Sequence, residues 1–186
     1  MDEKENRLVE MVLDGHPEAF EALVTPYRRS LLGLAYRLTA NEEDAKEAAQ
    51  EALLRAYRYL RSFDPGQSFR NWLLRILVNA AHKANRPGRL AVGLEDAPAP
   101  VETSPGPPAR YQAKEFRARL TDCLGVLGKR EREVFLLRDI EDRSIKETAE
   151  ILHSSSVSVR VNLSSARRKI KNEMTRRYPG ILGERR

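Results

Sequence analysis

Ser144-Ile145-Lys146-Glu147-Thr148-Ala149-Glu150-Ile151-Leu152-His153-Ser154-Ser155-Ser156-Val157-Ser158-Val159-Arg160-Val161-Asn162-Leu163 is the stretch on which the fold turns. Ser144 and Glu147 have the spacing of a capping box, in which hydroxyl and carboxylate each satisfy an orphan backbone N–H at a helix start. The helix they open is short, Ile145 to Leu152, and Ala149 stands where a partner helix must approach closely. His153-Ser154-Ser155 reads as a turn. A longer helix then runs from Val157 to about Arg177, with Val157, Val161 (or Val159), Leu163, Ala166 and Ile170 as its packing residues. Short helix, tight turn and longer basic helix form a helix-turn-helix, with a recognition helix near residues 156–172.

The charge distribution agrees with that reading. The net charge is +6 over 186 residues, yet residues 1–86 are neutral, residues 87–112 carry −1 and residues 113–153 are neutral. Residues 154–186 hold nine basic and two acidic residues, a local +7, which suits a phosphate backbone. The neutral N-terminal part is itself divided. Glu42, Glu43, Asp44, Glu47 and Glu51 crowd one segment, and Arg55, Arg58, Arg61, Arg70, Arg75, Lys83 and Arg86 dominate the next. Such a dipole suits a protein that touches a basic protein surface and nucleic acid together.

Working further outward, the pattern is helical throughout and no strand of any length is expected. Phe20, Leu23, Val24, Tyr27, Leu31, Leu34 and Ala35 form one stripe at spacings of three and four. Asp14-Gly15-His16-Pro17 is a turn before that helix. A second helix starts near Thr39-Ala40-Asn41, with acids in its first turn, and buries Ala45, Ala48, Ala52, Leu53, Ala56, Tyr57 and Leu60. Asp64-Pro65-Gly66 breaks the chain before a third helix, about Ser68 to Ala84, with Phe69, Trp72, Leu73, Ile76 and Leu77 inward. Six of the ten prolines lie between Pro87 and Gln112, so a linker in extended conformation is expected there. The expected fold class is all-α: two small helical domains, 1–86 and 113–186, joined by the flexible linker 87–112. In the second domain, Phe116, Leu120, Leu124 and Leu127 mark one helix, Gly128-Lys129-Arg130 a turn, and Glu131 to Asp139 the next helix.

Together these residues resemble the extracytoplasmic-function (ECF) family of bacterial RNA polymerase sigma factors. Glu43 to Tyr57 is similar to the family's core-binding helix, and Ser68 to Asn79 to its promoter-melting, −10-reading helix. Leu127 to Arg138 with the helix-turn-helix is similar to its −35-reading domain. The resemblance implies a promoter-specificity factor, not an enzyme, that carries core RNA polymerase (β and β′ subunits) to promoter DNA under control of an anti-sigma protein. It implies that Asp44, Glu47, Gln50 and Glu51 dock on clamp helices of the largest polymerase subunit, with Arg55 completing that surface. It also implies that the loop Ser62–Ser68 holds a flipped −10 base, through Gly66, Gln67 and Ser68. Asn71, Trp72, Arg75, Asn79, Lys83 and Arg86 follow on the third helix. Trp72 is open between core packing and base stacking, and an apolar stripe favours core.

At the recognition helix, Ser156, Ser158, Arg160, Asn162, Ser164 and Arg167 are the candidates for the −35 major groove. Arg160 suits a bidentate bond to guanine and Asn162 one to adenine. Arg168, Lys169 and Lys171 suit phosphate, and Ser144 and Lys146 the backbone. The chain departs from the family pattern at the turn, where His153 replaces Gly, and at Val161 and Asn162, where polar Ser and Arg are usual. A single Cys123 and scattered His16, His82 and His153 offer no metal-ligand spacing, so no cofactor or metal is expected. The polar N-terminus and the absence of an apolar run of membrane length predict no membrane insertion and a cytoplasmic protein.

Overall fold

The computed structural model describes residues 3–84 and 118–179, and their regular structure is entirely helical. The chain divides into two compact units, Met1–Val92 and Gly93–Arg186. The linker read at 87–112, with Arg86 and Phe116, lies outside the described residues.

The first unit holds α1 (Glu3–Leu13), α2 (Glu18–Thr39), α3 (Glu42–Arg58) and α4 (Phe69–Ala84). Asn41 caps α3 by accepting from the Asp44 N–H at 2.9 Å. Helix α3 packs against both α2 and α4. Ala45, Ala48, Ala49, Ala52 and Ala56 are all buried, and their small side chains let two neighbours approach one helix. Helix α1 was not anticipated, because Glu3-Lys4-Glu5-Asn6-Arg7 is polar. It buries Val9 and is tied down by the Tyr27 hydroxyl, which donates to the Glu5 carboxylate. An aromatic cluster closes the start of α4: Phe63 and Phe69 stand edge to face at 5.5 Å, and Trp72 lies 5.3 and 5.7 Å from them.

The second unit begins with α5 (residues 118–123), which tightens into a 3₁₀ turn over Leu124–Val126. Next come α6 (Lys129–Phe135), continued by a π-helical turn over Leu136–Ile140, then α7 (Ile145–Ile151) and α8 (Ser156–Arg177). The capping box forms as expected. The Ser144 hydroxyl accepts from Glu147 N–H at 3.1 Å, and the Ser144 N–H donates to the Glu147 carboxylate at 2.7 Å. His153 takes φ +46°, the left-handed geometry that lets the chain turn between α7 and α8. Ser155 caps α8 at 3.1 Å.

Helix α8 buries Val159, Leu163, Ala166, Ile170 and Met174, a stripe at spacings of four, three, four and four. Val157 and Val161, expected in the core, point outward instead; Val159 is the buried member of the pair of alternatives. The rotation of α8 is held on both flanks. On one, the Glu131 carboxylate accepts from Lys169 and Ser165, each at 2.7 Å, and from the Gly128 N–H at 2.9 Å. On the other, Arg167 grips Asp139 at 2.9 and 2.5 Å.

Lys169 and Ser165 hold the Glu131 carboxyl down to about 2, from an ordinary value of 4.5. A carboxylate lowered on folding adds stability above its unfolded value and loses it as pH falls toward the folded one. Glu131→Gln therefore lowers the unfolding midpoint near neutral pH, and its difference from the parent shrinks between about pH 4.5 and about 2; a pH series of thermal melts checks this. In the first unit, Phe69→Ala empties a fully buried ring site and costs about 3–5 kcal/mol. Urea unfolding of the full chain, followed through the fluorescence of its single tryptophan, Trp72, reads that loss.

Candidate nucleic-acid interface

A helix turns by about 100° per residue, so Val157, Arg160, Val161, Ser164 and Arg168 share one arc of α8 about 100° wide. All five are exposed, and this arc lies opposite the buried stripe. Arg160, Val161, Ser164, Ser165 and Arg168 line a shallow recess of about 500 Å³. Lys171 falls within the same arc further along the helix and is also exposed. The outward face is therefore cationic, hydroxylated and partly apolar, with no acid on it.

Three residues expected on this face are engaged by partners within the chain. Arg167 is committed to Asp139, which raises the guanidinium pKa through their hydrogen bonds. Lys169 is bound to Glu131 on the opposite flank. Asn162 is half-buried and donates its amide to the Ser158 carbonyl at 2.8 Å and to the Ser158 hydroxyl at 3.3 Å. The amide is therefore held by its own helix in this structure. Ser156 and Ser158 are half-buried, whereas Arg160, Ser164 and Arg168 stand as expected. At the start of α7, Ser144 and Lys146 are exposed. The outward valines were missed, although helical phase alone separates them from the stripe of Val159.

In the first unit, Glu47, Gln50, Glu51, Leu54 and Arg55 of α3 face Ala80, Lys83 and Ala84 of α4 across a groove of about 400 Å³. Arg55 donates to Glu51 at 2.6 Å. Glu47 and Gln50 are exposed. Asp44 is the exception among the acidic candidates. It is buried, in the first turn of α3, where the helix dipole favours a carboxylate. Leu54, exposed among these polar residues, was not foreseen.

The loop before α4 is braced by Asp64. Its carboxylate accepts from the Gly66 N–H at 2.8 Å and from the Gln67 amide at 3.3 Å. A Cβ on Gly66 would sit 3.1 Å from the Asp64 carboxylate, so glycine serves that close approach. The Ser68 hydroxyl accepts from the Asn71 N–H at 3.3 Å. Trp72, Arg75, Asn79 and Lys83 follow along one face of α4. Asn79 and Lys83 are exposed, Asn71, Trp72 and Arg75 half-buried. Trp72 is thus packed on two phenylalanines and remains partly exposed. Tyr59, at the end of α3 beside exposed Arg58 and Arg61, adds an exposed ring that the apolar pattern had not marked.

Family models for Sigma-70 region 2 and Sigma-70 region 4 match residues 23–87 and 117–170. The chain is 30% identical over 178 residues to the RNA polymerase sigma-H factor of Pseudomonas aeruginosa, covering 90% of this chain and 92% of that protein. It is 32% identical over 176 residues to the ECF RNA polymerase sigma factor SigG of Mycobacterium tuberculosis, covering 82% of this chain and 48% of that protein, about half its length. Among solved structures, CnrH in complex with the cytosolic domain of CnrY matches with a TM-score of 0.69 at 25% identity, over 94% of this chain and 99% of that one. RpoE from Bartonella quintana, solved with the anti-sigma factor NepR, shares the fold with a TM-score of 0.63 at 16% identity, over 84% and 96% of the two chains. With a capped helix-turn-helix behind a cationic reading face, and both sigma regions matched in order, this chain belongs to the ECF group of sigma-70-type RNA polymerase sigma factors.

Proposed function

We propose that this chain binds core RNA polymerase through α3 and directs it, in the cytoplasm, to promoters whose −35 element is read by α8. The observation that carries the reading is the outward arc of α8, where Arg160, Ser164 and Arg168 stand free of the buried stripe. Base edges in the major groove are reached by the N-terminal end of a recognition helix. Arg160, near that end, suits guanine; Arg168, two turns on, suits phosphate. Glu47, Gln50 and Glu51, with Arg55, form the polymerase surface. Asn79 and Lys83, with the exposed part of Trp72 and the loop Gly66–Ser68, form the −10 surface, where melting requires capture of unstacked bases. Asn71 and Arg75 support it from the same helix.

CnrH was solved with the cytosolic domain of CnrY, which supports an inhibitory protein partner for this chain too. A protein captured with the tagged chain and returned to the assay should suppress its transcription; failure of every captured protein to do so overturns that part.

Run-off transcription with purified bacterial core polymerase, on templates from start sites mapped after overexpression, tests the main reading. The chain should give promoter-dependent transcripts; transcripts that are the same without it overturn the reading. Glu47→Arg should weaken core binding at least tenfold, about 1.4 kcal/mol, with helical content unchanged. Arg160→Ala should cost about 1–3 kcal/mol and relax preference at one base pair. Arg168→Ala should weaken all sequences alike and reduce the salt slope of binding by about 1.

A further inference from the structure

Val157 and Val161 have no structural reason to lie where they do. They stand one turn apart on the exposed arc of α8, 66% and 64% exposed. The core stripe beneath is complete without them, through Val159, Leu163, Ala166 and Ile170. β-Branched residues also lower helix propensity, so two exposed valines make α8 a poorer helix than polar residues would. Their surroundings name the occupant. Arg160 precedes Val161, Ser164 and Arg168 follow it, and these residues line the same recess. No acid shares the arc, and the two isopropyl groups alone are too small a patch to hold a protein partner. An apolar group carried into a polyanionic groove on a cationic face meets one apolar feature there, the C5-methyl of thymine.

We infer that Val157 and Val161 are specificity-determining residues that read thymine methyl groups in the −35 element. The inference rests on the proposal that α8 occupies that major groove. Arg160 supplies a hydrogen-bonding contact and the valines an apolar one, so the element is selected for thymines beside the guanine. Asn162, turned back on Ser158, takes no part.

Deoxyuridine in place of thymine removes the methyl and leaves base pairing intact, so it isolates the contact. The reconstituted holoenzyme is titrated with a −35 duplex, from a promoter mapped for this chain, carrying thymine or deoxyuridine. The parent should lose about fourfold in affinity for each methyl contacted. Val161→Ala and Val157→Ala should bind the thymine duplex more weakly than the parent does. Val157→Ala/Val161→Ala together should no longer distinguish the two duplexes. Alanine is the better helix former at both exposed positions, so a loss is not one of folding. Equal affinity of the parent for both duplexes, with Arg160→Ala still impaired, overturns the valine assignment and leaves the groove reading standing. Arg160→Ala without effect overturns both. Weakened core binding by the double variant, with its thymine preference unchanged, assigns the valines to protein contact and overturns the inference.

Discussion

The rotational seating of α8 is the constraint on which the second unit's chemistry depends. At about 100° per residue, a shift of one position would bring Asn162 to Val161's place and bury Arg160 where Val159 now packs. The buried stripe from Val159 to Met174 sets the coarse angle, but apolar contact is non-directional and tolerates small rotations. The flanking pairs do not. Glu131 takes three donors, from Lys169, Ser165 and Gly128, and Asp139 takes a two-point grip from Arg167. Charge-assisted bonds from opposite flanks oppose rotation in either sense. The arginine and lysine that the charge pattern offered to DNA thus hold the helix that meets it.

The N-terminal unit solves a different problem. Helix α3 must contribute a polar surface while packing between α2 and α4, and alanine makes both possible. Five buried alanines occupy little volume, so both neighbours come close, and a wide arc of α3 is removed from water. The outward arc covers about half of α3, and Glu47 and Gln50 lie on it, whereas Asp44, about 60° round the helix from Glu47, falls at the edge of the buried side.

Much of this was legible in the sequence. The spacings from Phe20 to Ala35 and from Phe69 to Leu77 set two helices, and Ser144 with Glu147 set the start of α7. The resemblance supplied the family. Three features were not legible, each for a physical reason. Helix α1 carries its apolar stripe, Leu8, Val9 and Val12, in its C-terminal half only, behind the polar Glu3 to Arg7. Asp44 cannot be told from Glu47 by composition, since its burial depends on helices that approach from two sides. The valines of α8 were assigned to the core because apolar residues usually belong there; only the phase relative to Leu163 and Ala166 sends Val157 and Val161 outward.

That phase also limits the electrostatics. Residues 154–186 hold nine basic residues, but Arg167, Lys169, Arg176 and Arg177 are paired with carboxylates of this chain. Arg185 and Arg186 lie outside the described residues. Arg160, Arg168 and Lys171 remain on or beside the reading face. Affinity from counterion release scales with the phosphates neutralised, and cations already paired within the chain contribute less to it than those left unpaired on the outward face. A two-part promoter is met by two such surfaces. When two such surfaces share one chain, engagement of the first raises the effective concentration of the second. Neither then needs to grip DNA tightly alone, and discrimination falls to the few side chains that touch base edges. The outward arc of α8 offers a guanidinium, a hydroxyl and two isopropyl groups for that task.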